Sequence, residues 1–346
     1  ALRQYEHCVE TLARELGVSP SAETQRLQER IRAGDVGVSE PVTPPDVMGP
    51  REMPAAPPHN LPPQSTPFIG RETELVDLHG LIADPEVRLI TIVGPGGIGK
   101  TRLALACGER LICNDNGPPH MPVRDGIFFA PLDALSTADQ IVPALAGALG
   151  FRLRGGDRRP PRQQVVDYLR QKRMLLILDN FEHLLDGSEL LVDIINAAPH
   201  VTLLVTSRER LNMRQEQLFP VHGLAVPEQD ISMAEAMRCA SVQLFQQSAW
   251  RVRPDHQLRA EESSHLINIC CLLGGMPLAL ELAASWIDVL PLVDIVAELQ
   301  GGLDLLAVEW QDMPRRHRSM RATVDASWRL LNQDCLLYTS DAADDN

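Results

Sequence analysis

Apolar positions fall into three regimes along this chain. Near its start Leu2, Tyr5, Val9, Leu12 and Leu16 recur at helical spacing and stop at Gly17; after Ser19-Pro20-Ser21, Leu27 and Ile31 resume the period as far as Gly34. That spacing predicts two helices joined by a turn over 1–34. From 35 to 66 large apolar residues thin out and prolines accumulate (Pro41, Pro44, Pro45, Pro50, Pro54, Pro57, Pro58, Pro62, Pro63), which is the composition of a stiff, extended linker. Beyond it, apolar runs at 88–93, 126–131, 174–178 and 201–206 alternate with helical periods at 100–112, 137–149, 162–171 and 186–197. Alternation of this kind predicts an α/β fold, a parallel sheet with helices on both faces. After Pro227 only helical periods remain, clearest over 233–249, 261–273 and 278–290, so an all-α helical domain follows the sheet.

Length and charge narrow the function. The 346 residues suffice for two or three domains with their own cores. A formal charge of -14 argues against a broad nucleic-acid surface in this stretch and places any DNA reader elsewhere. The seven cysteines form no C-x-x-C pair and show no zinc spacing with His, which fits a reducing, cytoplasmic setting. No apolar run approaches the length of a membrane span and no leader pattern opens at Ala1, so no membrane partner is expected. Lacking an initiator Met, the chain reads as an internal fragment.

The segment Gly94-Pro-Gly-Gly-Ile-Gly-Lys100-Thr101 fits G-x-x-x-x-G-K-[ST] and lies between a strand and a helix, the setting of a phosphate-binding loop. Gly94, Gly96, Gly97 and Gly99 are expected to take positive φ values and turn N–H groups inward, making a nest for phosphate oxygens at the positive end of the helix. Lys100 adds a point charge for the terminal phosphates. Thr101 offers a hydroxyl to Mg2+, a hard cation that prefers oxygen ligands. Ile98 within the loop and Arg102 just after it complete the binding candidates there.

Leu175-Leu-Ile-Leu178-Asp179 has the form of a buried strand that delivers one carboxylate to a metal at its carboxyl end, so Thr101 and Asp179 are the candidate metal ligands. The next residue, Asn180, is an amide and cannot take a proton from water, and Glu182 is the nearest acid. The strand Val201 to Thr206 ends in Ser207-Arg208, which could set a guanidinium beside the terminal phosphate; Arg210 and Arg214 compete for that role. Lys100, Asp179, Glu182 and Arg208 are thus the candidate catalytic groups.

Five segments in order, Phe68-Ile-Gly-Arg71-Glu72, the glycine-rich loop, Leu175 to Asn180, Val205-Thr-Ser-Arg208 and Gly275-Met-Pro277-Leu-Ala279, resemble NB-ARC proteins of the STAND class over about 67–334. The first 34 residues are similar to the last two helices of the bacterial transcriptional activator domain, a TPR-like module. The resemblance implies a P-loop NTPase domain over 67–226, a helical ARC domain over 227–300 and the start of a winged helix over 301–334. It also implies ATP/ADP and Mg2+ as cofactors, with Ile69, Gly70 and Arg71 flanking the base, Pro277 packed on the adenine and Arg208 sensing the terminal phosphate. A protein of this kind is a nucleotide switch of a transcriptional regulator, open and partner-binding with Mg2+-ATP and closed with ADP. DNA would be reached through a missing upstream domain, with self-association or a protein partner on activation. Asn180 departs from the family, which usually carries a second acid there, and this implies slow hydrolysis. The basic cluster Arg315, Arg316, Arg318 and Arg321 reads as a solvated helix start within the winged-helix segment. Cys335 to Asn346 resembles an in-frame translation of a transposon-end sequencing adapter and is set aside as a scar. Two other readings stay open: a turnover P-loop ATPase or kinase acting on a small substrate, and an inert ADP-binding scaffold.

Overall fold

The computed structural model describes residues 57–113, 123–228, 231–255 and 262–302. The expected helix pair over 1–34, the linker as far as residue 56, the winged-helix segment from 303 and the tail 335–346 lie outside the described residues.

Five strands form one sheet: β1 (Leu89–Val93), β2 (Gly126–Pro131), β3 (Met174–Asp179), β4 (Val201–Ser207) and β5 (Glu216–Pro220), in the order β2-β3-β4-β1-β5. Every pairing is parallel. The chain must therefore cross over between most strands, and helices fill those crossings. β3 and β4 are buried along their whole length, which is why both stand out as apolar runs, broken in β4 only by small hydroxyl side chains and closed in β3 by Asp179. β5 was not expected. It is an edge strand with three of its five residues exposed, it reads Glu-Gln-Leu-Phe-Pro, and its closing proline needs no partner on the open side.

Successive residues of the inner strands point to opposite faces and build two separate cores. Leu176, Leu178, Leu203 and Val205 meet α3 (Ile141–Ala148), α4 (Pro161–Leu169) and α5 (Ser188–Ala197) through Leu145, Val166, Leu191 and Ile194. Ile90, Ile92, Ile177 and Leu204 meet α1 (Glu72–Ala83) and α2 (Lys100–Cys113) through Leu78, Ile82, Leu103 and Cys107. The helix expected over 137–149 is divided. Thr137 and Gln140 make a reciprocal cap around a short 3-10 turn, and α3 begins only after it.

Beyond the sheet, α6 (Ala240–Val252), α7 (Ser263–Leu272), α8 (Pro277–Ala284) and α9 (Leu292–Gly301) pack around Val242, Phe245, Leu266, Ile269, Leu280, Leu282 and Ile295. The period expected to run over 278–290 breaks at Ser285–Asp288 into a 3-10 turn. What seats this lobe on the sheet is close backbone contact. Leu224 N–H donates to the Gly275 carbonyl at 2.8 Å. A Cβ on Gly275 would lie 2.0 Å from the Leu224 oxygen, and one on Gly223 would lie 2.0 Å from the Gly274 oxygen. Two facing glycines thus let the segment after β5 touch the turn that starts α8.

Candidate functional site

The loop between β1 and α2 lies at the carboxyl end of the sheet, where a parallel sheet whose strand order reverses leaves a crevice. Gly97 and Gly99 take φ values of 80° and 94°. Gly94 and Gly96 do not have positive φ, which corrects the expectation that all four glycines would. Gly94 is needed for another reason: a Cβ there would stand 2.8 Å from the Val221 carbonyl oxygen, because β5 ends against the loop. Ile98 is buried in the core beneath the loop, and its carbonyl accepts a hydrogen bond from Arg71 Nη2 at 2.8 Å.

Lys100 Nζ turns back onto the loop and donates to the carbonyls of Gly94, at 2.8 Å, and Pro95, at 3.0 Å. Burial pulls its ammonium down to about 8; Glu182 and Asp179 oppose that shift, while Arg208 adds to it. Thr101 Oγ1 donates to Asp179 Oδ1 at 2.7 Å, and Thr206 Oγ1 donates to the same oxygen at 2.6 Å. Asn180 follows with φ 70°, a left-handed turn that Asn tolerates better than most residues, and its backbone N–H donates to Thr206 Oγ1 at 2.9 Å. Arg208 Nε donates to Glu182 Oε1 at 3.1 Å, with both side chains almost out of solvent.

A cavity of about 210 Å³ opens above the loop. Of the residues singled out from the sequence, Ile69, Arg71, Gly96, Gly97, Gly99, Lys100, Thr101, Arg102, Arg208 and Pro277 line it, as does Asn180. Gly70, Gly94, Ile98, Asp179 and Glu182 do not line it but stand behind residues that do. Its lining divides between polar groups, from the loop, Thr206 and Arg208, and apolar side chains, from Pro67, Phe68, Leu224, Leu244 and Leu278. That division suits a ligand with an anionic tail and a flat, less polar body.

Two of the lining arginines are tied to backbone. Arg71, itself at φ 66° before α1, donates to the carbonyls of Ile98 and His222, the latter at 2.9 Å, and pairs with Glu74 at 3.2 Å. Burial lowers its guanidinium, and Glu74 partly offsets this. Arg102 donates to Thr66 Oγ1 at 2.7 Å and to the Thr66 carbonyl at 2.9 Å.

Sequence reasoning did not single out Thr206, Leu244, Leu278 or Glu281 as site residues. Glu281 follows Pro277 on α8 by four positions, so a helical face counted from Pro277 would have found it, whereas Leu278 is one position on and no such face includes it. Glu281 is held above the usual carboxylate range by burial, with Arg251 and Arg102 pulling the other way.

Residues 86–213 match the AAA domain family, and residues 1–32 match the bacterial transcriptional activator domain. An uncharacterized protein of Mycobacterium tuberculosis is 31% identical over 268 residues, 77% of this chain and 62% of that protein. A second M. tuberculosis protein, named provisionally as an HTH-type transcriptional regulator, is 30% identical over 71% of this chain and 25% of its own length. The regulatory protein AfsR of Streptomyces griseus is 25% identical over 95% of this chain and 31% of its own. The chain therefore spans less than two thirds of the length of these relatives. Among solved structures, the STAND protein with a tetratricopeptide repeat sensor from Pyrococcus horikoshii superposes with a TM-score of 0.40 at 17% identity, covering 82% of this chain and 35% of that one.

Proposed function

We propose that this chain, a P-loop ATPase domain of the AAA type joined to the end of a bacterial transcriptional activator domain, is the ATP/ADP-controlled switch of a transcriptional regulator of the STAND class. In this reading the nest of Gly97 and Gly99 holds phosphate oxygens and Lys100 leaves its two carbonyls to meet them. Thr101 and Asp179, already 2.7 Å apart, offer a hydroxyl and a carboxylate, a donor set that fits Mg2+ with its remaining positions left to phosphate and water. The ion, when bound, neutralises charge on the terminal phosphates. Ile69 and Pro277 border the base and Arg208 reads the terminal phosphate.

The observation that carries the proposal is the seating of α8. Leu278 N–H donates to the Gly97 carbonyl at 3.2 Å, and Pro277 Cγ lies 3.8 Å from where a Cβ on Gly99 would stand. The first turn of α8 therefore rests on the phosphate loop itself, so a ligand that reshapes the loop changes how the helical lobe is held. A switch requires this kind of differential contact. Slow hydrolysis fits the same reading, since Asn180 takes no proton and Glu182 is engaged by Arg208. The relatives' names supply the regulator context, and the charge of -14 supports DNA contact through another domain. Among the described residues no helix is long and apolar enough to cross a membrane. A regulator of this kind works in the cytoplasm, with self-association or a protein partner in the ATP state.

Hydrogen exchange tests the switch directly. Amides of α8 should exchange at different rates with Mg2+-ADP and with a slowly hydrolysed Mg2+-ATP analogue. Identical protection of α8 in the two, with both nucleotides shown to be bound, would reduce the chain to a holder of nucleotide.

A further inference from the structure

Arg208 both lines the cavity and pairs with an acid beside it. Its Nε donates to Glu182 Oε1 at 3.1 Å, and the two side chains are only 10% and 5% exposed. The same residue lines the cavity beside Lys100, Thr206 and Asn180. Glu182 is held in place independently of that pair. It sits in the 3-10 turn Phe181–His183, where Phe181 is fully buried in the sheet core and His183 Nε2 lies within hydrogen-bond distance of the Leu132 and Leu135 carbonyls, at 3.1 and 3.0 Å. Its second oxygen, Oε2, is buried with no hydrogen-bond partner. A carboxylate fixed by its turn and satisfied on one side is expensive to bury, so it gains from every contact with a neighbouring guanidinium.

We propose that Glu182 is a built-in competitor for Arg208 that sets how strongly the site prefers a nucleoside triphosphate over a diphosphate. This rests on the nucleotide-switch reading above. A diphosphate held in the nest gives Arg208 no new anion, and the Arg208–Glu182 pair persists. A terminal phosphate offers the guanidinium a second anion, but taking it weakens the contact with Glu182. The gain from the third phosphate is thereby reduced by the loss of a buried, charge-assisted hydrogen bond. The same exchange carries a signal outward. Glu182 lies three residues beyond Asp179, in a turn anchored to the segment after β2, so loosening its contact with Arg208 reaches backbone that no phosphate touches.

Calorimetry on the 346-residue chain, with Mg2+-ADP and the non-hydrolysable analogue AMP-PNP with Mg2+, tests this. Glu182→Gln keeps the shape and removes the charge, and the ratio of AMP-PNP to ADP affinity should rise on the order of tenfold. In an Arg208→Gln background the same substitution should leave the ratio where Arg208→Gln alone puts it, because the competition needs both partners. A Glu182→Gln ratio equal to the wild-type ratio, or a rise that survives in the Arg208→Gln background, overturns the proposal. Should Glu182→Gln fail to fold, Glu182→Asp retains the charge on a shorter arm, and an unshifted ratio there overturns it as well. Wild-type chain that binds neither nucleotide is a different failure: it removes the switch reading and the competitor with it.

Discussion

In the proposed switch Lys100 is the residue on which nucleotide binding most directly depends, because it bonds to two carbonyls that a phosphate would have to replace. Its ammonium, lowered to about 8 by burial, loses its proton in the free protein well before an exposed lysine would. A bound phosphate needs the charged form. ADP affinity should therefore stay level below about pH 8 and fall above it, approaching about tenfold per pH unit, with a proton taken up on binding. For stability the sign is opposite. Between about 8 and the ordinary lysine value of 10.5 the unfolded chain holds a proton that the folded one has lost, so the free protein gains stability as pH rises through that window. Titrations from about pH 7 to about pH 9 in buffers of different ionisation enthalpy measure the proton directly. Lys100→Arg, which stays charged, should flatten the profile, and a profile with the same slope in both proteins would place the titration elsewhere. At Asp179 the expectation concerns the metal. Asp179→Asn keeps the hydrogen bonds from Thr101 and Thr206 nearly in place but removes the charge, so the tightening of ATP binding by Mg2+ should shrink by about 10- to 100-fold. Unchanged Mg2+ dependence would remove Asp179 from the metal.

At the scale of elements, strands buried on both faces were legible and exposed ones were not. β1, β3 and β4 announce themselves as apolar runs because helices cover both of their faces. β5 carries Glu216 and Gln217 on an open edge and has too few apolar residues to show a period. α1 was missed although Leu75, Leu78 and Ile82 are buried at helical spacing, because the helix follows the proline-rich stretch and opens from a left-handed Arg71 without a side-chain cap. The glycine pair at the lobe junction makes a sharper test of how elements are joined. Gly274 and Gly275 both have positive φ, 55° and 65°, yet only Gly275 has backbone within 4 Å of an added Cβ. Gly274→Ala should therefore cost about 1–2 kcal/mol, the strain of a left-handed alanine. Gly275→Ala should cost about 2–4 kcal/mol, since the Leu224 oxygen would have to move as well. Denaturant unfolding of the two variants measures the difference, and equal costs would mean that the contact between the segment after β5 and the α8 turn is loose.

For the molecule as a whole, the sequence identified the glycine-rich loop but could not show how distant segments close around it. The glycine-rich motif is local, so its place between β1 and α2 follows from spacing alone. The cavity wall is not local: it joins Phe68, Leu224, Leu244 and Leu278, which only the folded lobes bring together, and the Arg71 bond to the His222 carbonyl spans 151 positions. These contacts have a thermodynamic consequence. Because the sheet and the helical lobe share the ligand cavity and the α8 first turn bonds to the loop, a nucleotide bound there should stabilise both against unfolding. Ligand at about 100 times its Kd contributes about 2.7 kcal/mol to whatever unit unfolds with the site. For a unit of this size that is a rise of about 5–10 °C in Tm. Scanning calorimetry of the chain with saturating Mg2+-ADP should show the transition of sheet and helical lobe moving up as one peak. If the lobe melts first at a temperature that ADP does not alter, the seating of α8 on the loop transmits nothing, and the nucleotide would act on the sheet alone.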